Sequence, residues 1–185
     1  VADAYGVTFI SGMELTTEEE VHVVCLFPTV ESALQFSDYV AEHIIPIENE
    51  PSIFGEQLVM DSDDNIIGTE KNLLINATDI DFLSAFTLVE SYGGIAIPAH
   101  IDKQSNSLLS NLGFIPPESQ FKTIELHDMD KFSELKELHP YLNSCRAITS
   151  SDAHYLADIN EPVNFLHAEE NTAEAIISTL KKQRI

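Results

Sequence analysis

Basic residues are scarce in this chain. Nine Lys and Arg face 31 Asp and Glu over 185 residues, a formal charge of -22. Such a surface repels phosphate backbones and anionic lipid, which argues against a dedicated nucleic-acid groove. Long apolar runs are lacking too. None approaches the roughly 18 residues needed to span a bilayer. No basic segment followed by an apolar stretch heads the chain, so no signal peptide is legible. Cysteine is limited to Cys25 and Cys145, far apart and without a CxxC pair. That excludes a disulfide scaffold or a cysteine-built zinc ribbon and fits a reducing cytoplasmic setting without membrane contact. What is present is a 44% hydrophobic content, enough for a packed core. The length fits a single domain over residues 1–185, by the prior of about 100–200 residues per domain.

The chain opens without Met. Val1 to Gly6 reads as the tail of a helix closing at Gly6, as in a piece of a longer chain. Val7–Leu15 and Val21–Phe27 read as strands. The gap between them is too short for a crossover helix, so they should pair antiparallel. Pro28 and Thr29 open a helix with apolar residues from Val30 to Ile45. Gln57–Met60 and Ile66–Gly68 flank an Asp-rich turn and predict a surface hairpin. Asp79 can cap a helix running to Tyr92, with Gly93 and Gly94 as its stop. Strands then alternate with short helices: Ile95–Ala99, Thr123–His127 and Ala147–Ser150, a small edge strand at Val163–Leu166, and a last helix marked by Ala173, Ile176, Ile177 and Leu180. Lys181, Lys182 and Arg184 suit the negative end of that helix. The alternation predicts an α/β sheet or barrel.

Chemistry gathers where strands end. His100 follows the buried Ile97-Pro98-Ala99, and Asp152 and His154 follow Ser150-Ser151. Loops at the carboxyl ends of parallel strands form the active face of α/β folds. Glu14 ends its strand and His22 starts the antiparallel one, so a hairpin brings them to one edge. A strand-end histidine taken singly is more often structural. Five imidazoles and carboxylates at one edge have the character of a site for zinc, iron or manganese.

Four pieces of sequence carry a resemblance: Gly12-Met13-Glu14, Val21-His22-Val23-Val24, Pro98-Ala99-His100 and Ser151-Asp152-Ala153-His154. In the order of these pieces and their place at the ends of the expected strands, the chain resembles the PHP (polymerase and histidinol phosphatase) superfamily of metal-dependent phosphoesterases. That resemblance implies a distorted seven-stranded (β/α) barrel of PHP type with two or three divalent ions, zinc, manganese or iron. It implies Glu14 as a carboxylate bridging two ions, His22 and His100 as ligands of one, Asp152 as a ligand of the second and His154 of the third. It implies a small organic phosphate as substrate, hydrolysed by metal-activated hydroxide with Asp152 or a histidine such as His154 managing protons. The family opens with a His-x-His strand that this chain lacks, and Ile101 stands where the family often has proline. The barrel would thus lack its first strands, and two of its metal sites most of their ligands. A missing N-terminal segment or a second copy is then expected to cover the open edge. Two competing functions follow: a catalytically incomplete metal-binding or regulatory module, and a related metallohydrolase acting on a C–N bond.

Neighbouring residues have two readings each. Lys103 is a point charge for a substrate phosphate or a solvated lysine. Glu125 and His127 alternate with Ile124 and Leu126, as hydrogen-bond partners of the ligands or as satisfied core polar groups. His43, His139 and His167 read as ordinary structural residues, Glu18 to Glu20 as a solvated turn or as a field that draws divalent cations, and Asp61 to Asp64 as a turn lacking the features of a calcium loop.

Overall fold

The structure is a computed structural model and describes residues 2–183. Its centre is a three-stranded sheet in the order β1 (Ser11–Thr16), β2 (His22–Phe27), β5 (Ile95–Pro98), with β2 antiparallel to both neighbours. The register pairs Glu14 with Val24 and Thr16 with His22, then Val24 with Ile97. Opposite residues share a face, so the two faces are read directly from the pairs. One face carries Leu15, Val23, Cys25, Phe27 and Ala96 into the main core. That core is closed by α1 (Val30–His43) and α3 (Phe82–Ser91), through Phe36, Phe82, Ala85 and Val89. The other face carries Val24, Leu26, Ile95 and Ile97 against Ile177 and Leu180 of α6 (Ala173–Lys181). Glu14 and His22 lie on this second face.

Local sequence explains the helix starts. Thr29 accepts from Ser32 N–H to open α1, and Thr172 from Ala175 N–H to open α6. The cap of α3 is Asp81, accepting from Ser84 N–H, and not Asp79. Asp79 instead pairs with His43 at 2.7 Å, where α1 ends. Gly93 (φ +80°) stops α3 in the left-handed region. Gly94 follows because a Cβ there would meet Leu26 O at 2.7 Å.

Three further expectations need correction. Val7 to Ile10 is not strand: Ser11 pairs with Phe27, the last residue of β2, so earlier residues have no neighbour to bond. Val163–Leu166 forms no strand either; Asn164 Nδ2 donates to Thr149 O in place of a ladder. Third, there is no closed seven-stranded barrel among the described residues. The strands fall in separate small sheets: the central three, the β3 (Leu58–Met60) and β4 (Ile66–Thr69) hairpin, and a parallel pair of β6 (Thr123–Glu125) and β7 (Arg146–Ile148). From the central sheet to β6 the backbone link is Ile101 N–H to Glu125 O at 3.0 Å, not a ladder. The predicted helix tail at the start is a 3-10 turn at Ala2–Tyr5 before Gly6 (φ +66°), with Val1 outside the described residues. The remaining short helices are α2 (Pro51–Phe54), α4 (Leu108–Asn111) and α5 (Phe132–Leu138). Of the basic residues expected at the end of α6, Arg184 lies outside the described residues. No helix among them is long and apolar enough to cross a membrane.

Candidate metal centre

Two adjacent strands and one loop supply the centre. The hairpin of β1 and β2 carries Glu14 and His22. The first residues after β5 carry His100, held by Ala99 N–H donating to His22 O at 3.0 Å. His22 N–H in turn donates to Asn106 O at 2.9 Å, so the loop after β5 and the start of β2 fix each other.

Glu14 sits between the two rings. His22 Nδ1 is 3.2 Å from its Oε2, and His100 Nε2 is 3.4 Å from its Oε1. One ligand atom from each of the three residues lies within 4.8 Å of the others. The ring centroids of His22 and His100 are 5.3 Å apart, edge to face. His22 Nδ1 is buried and close to the carboxylate, yet without hydrogen-bond alignment, and so is unsatisfied; His100 Nδ1 also lacks a partner. Unsatisfied buried ring nitrogens are costly unless something else takes the lone pair. Zinc takes imidazole and carboxylate at about 2.0–2.2 Å, which sets ligand atoms roughly 3.4 Å apart around a tetrahedron. The two ring-to-carboxylate contacts match that spacing, so this donor set fits a divalent ion.

The electrostatics agree with the geometry. Burial alone would raise the Glu14 carboxyl, but contact with His100 and His22 outweighs it and holds the group well below the usual carboxylate range. Burial works against a charged His100, and the neighbouring Glu14 reverses that, so its pKa is raised.

Asp152 and His154 reach the same cleft, of about 150 Å³, which Glu14, His22 and His100 also line. Asp152 is not free there: its Oδ2 pairs with Lys103 Nζ, while His154 Nε2 stands 3.9 Å from Oδ1. His154 is largely exposed, at 75% of its side chain. Lys103, Ser105 and Asn106 complete the wall. Three non-glycine residues of this wall hold left-handed backbone: His100 (φ +28°), Asn106 (φ +51°) and Asp152 (φ +48°).

Behind the cleft, Glu125 is buried and takes the hydroxyl hydrogen of Ser150 on Oε1. Burial raises its pKa, with the Ser150 bond pulling the other way. His127 is exposed and stands apart from the cleft. Sequence reasoning passed over Ser105, Asn106 and Ser150, which carry no charge, and Asp102. The carboxylate of Asp102 is 2% exposed and accepts from His127 N–H at 2.7 Å and Asp128 N–H at 2.9 Å. Its position two residues past His100 was the available signal. Two of the other acids have structural partners. Glu19 accepts from Phe82 N–H at the start of α3, and Asp61 accepts from Asp63 and Asn65 N–H within its turn.

No family model and no curated protein matches the chain. Among solved structures, it is similar to the crystal structure of the novel lesion-specific endonuclease PfuEndoQ from Pyrococcus furiosus, with a TM-score of 0.60 and 17% sequence identity. The match covers 95% of this chain and 39% of that one. At this identity the likeness is one of fold, and this chain spans well under half the length of that protein.

Proposed function

We propose that this chain is the metal-binding part of a metal-dependent phosphoesterase of PHP type, acting on a small organic phosphate. The observation that carries this is Glu14 held between His22 Nδ1 and His100 Nε2, with the buried His22 Nδ1 left unsatisfied. The fold likeness to an enzyme titled an endonuclease supports phosphoester chemistry. A bound divalent ion would supply Lewis-acid polarisation of a phosphoryl oxygen and a more acidic water. Glu14, His22 and His100 would hold that ion. Lys103 offers its ammonium to a phosphoryl oxygen and exchanges it for Asp152 as substrate leaves. Hydrolysis adds water across the P–O bond, its oxygen to phosphorus and a proton to the departing alcohol. Asp152 accepts the water proton, and His154 at the open rim passes one to the leaving oxygen. Glu125 and Ser150 brace the floor. A net charge of -22 disfavours a polyanion and favours a small substrate.

One observation favours a second reading, a metal-binding module without turnover: the Lys103 pair occupies the carboxylate that a second ion would need. One experiment separates them. The protein is loaded with Mn²⁺ or Zn²⁺, its metal content is measured by elemental analysis, and phenyl phosphate hydrolysis is followed. The phosphoesterase reading expects about one tightly held ion and turnover, both lost in His100→Ala. Metal without turnover of any phosphate ester supports the module. An unchanged metal content in His100→Ala removes the centre altogether.

A further inference from the structure

Lys103 is the one Lys or Arg among the described residues that line the cleft, in a chain with nine such residues against 31 acids. Its backbone is fixed at both polar groups. The N–H donates to His100 O at 2.9 Å, and the carbonyl accepts from Ser107 Oγ at 2.8 Å, with Ser107 fully buried. The turn that carries His100 therefore also sets where the lysine side chain starts. From there it reaches Asp152, on the loop after β7, and pairs with Oδ2. The two side chains are 32% and 21% exposed, so water screens the pair only in part. Asp152 and His154, whose Oδ1 and Nε2 stand 3.9 Å apart, lie outside the trio of Glu14, His22 and His100. They are the donors that a second ion would use. Such an ion would have to displace the ammonium from Asp152 against the repulsion of both cations. A pair of divalent ions is one way to set two positive centres around a phosphoryl group. One ion and one ammonium is another. With Glu14 and Asp152 ionised, that second arrangement leaves the cleft with a net charge of about +1, which attracts a phosphate ester.

We infer that Lys103 stands in for a second metal ion: its ammonium supplies the second positive charge of a one-ion centre and keeps Asp152 from taking an ion of its own. The inference rests on the phosphoesterase reading only for the ion at Glu14, His22 and His100, and its readout is the number of ions, not turnover. The chelator-treated protein is titrated with Mn²⁺, and uptake is counted by calorimetry and electron paramagnetic resonance. Wild type is expected to hold one ion. Lys103→Met keeps an unbranched side chain without the charge and should take up a second, weaker ion. Lys103→Arg keeps the charge and should hold one. Adding Asp152→Ala to Lys103→Met should remove the second ion and leave the first, which separates release of Asp152 from a general change in the fold. Two ions in wild type, two in Lys103→Arg, or one in Lys103→Met overturns the inference. Hydrolysis of phenyl phosphate by the wild type in any of those cases leaves the phosphoesterase reading standing. One ion in wild type and two in Lys103→Met, with no phosphate ester turned over by the wild type, upholds the inference and retires the phosphoesterase reading. No uptake by the wild type overturns both.

Discussion

Glu125 shows how a single burial sets a pH response. It is 5% exposed, and its pKa is raised chiefly by loss of water, against the Ser150 hydroxyl that lowers it. The folded chain therefore keeps this proton at pH values where the unfolded chain has released it. The stability it contributes is complete below the ordinary glutamate range and fades as pH rises through its higher folded value. Glu125→Gln cannot titrate. Urea midpoints at about pH 4 and pH 7 should therefore fall more steeply in the wild type than in Glu125→Gln, and equal changes would contradict this. The meeting of Glu14 with His22 was legible, because a short link between two apolar runs forces a hairpin. The Lys103–Asp152 pair was not. It joins loops 49 residues apart, and no local pattern sets that approach.

Helix α3 shows what local pattern does and does not decide. Two aspartates precede it, and both are good caps by residue type. Only Asp81 has the extended backbone next to the first helical residue, while Asp79 is taken up by His43. Asp81→Ala should cost about 1 kcal/mol in chemical denaturation. The Ser84 bonds lower the Asp81 pKa, so that stability is present above the ordinary aspartate range and lost as pH falls. A circular-dichroism melt at neutral pH that matches wild type would rule the cap out as a contributor. At the other end, Gly93-Gly94 announces the stop, but the reason for the second glycine is tertiary. A Cβ on residue 94 would lie 2.7 Å from both Leu26 O and the ring of Phe27, and that ring is fully buried. Gly94→Ala should therefore destabilise by about 1–3 kcal/mol, the usual cost of overpacking. A thermal midpoint equal to wild type would mean the strand can move aside.

At the scale of the whole molecule, the alternation of strands and helices was readable and the closure was not. Strand pairing depends on contacts distant in sequence, and β2 joins β1 and β5 into an open antiparallel sheet in place of a barrel wall. The accessible surface is 11676 Å², whereas a compact monomer of this mass should expose about 8,800 Å². The excess includes Phe9, Ile67, Leu156 and Phe165, each more than half exposed. Apolar area of this kind is costly in water at about 25 cal/mol per Å². We expect the isolated chain to associate, despite its charge of -22. Light scattering should report a mass above 20.5 kDa that grows with concentration and with added salt, as screening weakens the repulsion. A monodisperse monomer over the whole range would show that the open edges are tolerated.

The left-handed backbone at His100, Asn106 and Asp152 has an evolutionary meaning. Such conformations cost on the order of 1–3 kcal/mol for residues other than glycine, less for asparagine and aspartate. Folding alone therefore favours glycine at positions 100 and 152, and the proposed chemistry of the cleft favours the residues now there. The two pressures oppose each other at the same sites. In a mutant library sorted only for folded protein, glycine should accumulate at 100 and 152, whereas a library sorted for hydrolysis should hold His and Asp. A descendant relieved of the proposed chemistry would drift toward glycine there first, so these two positions would record its loss before the fold itself changed. Sequencing a fold-sorted library and finding no glycine enrichment would show that the backbone bears no such load.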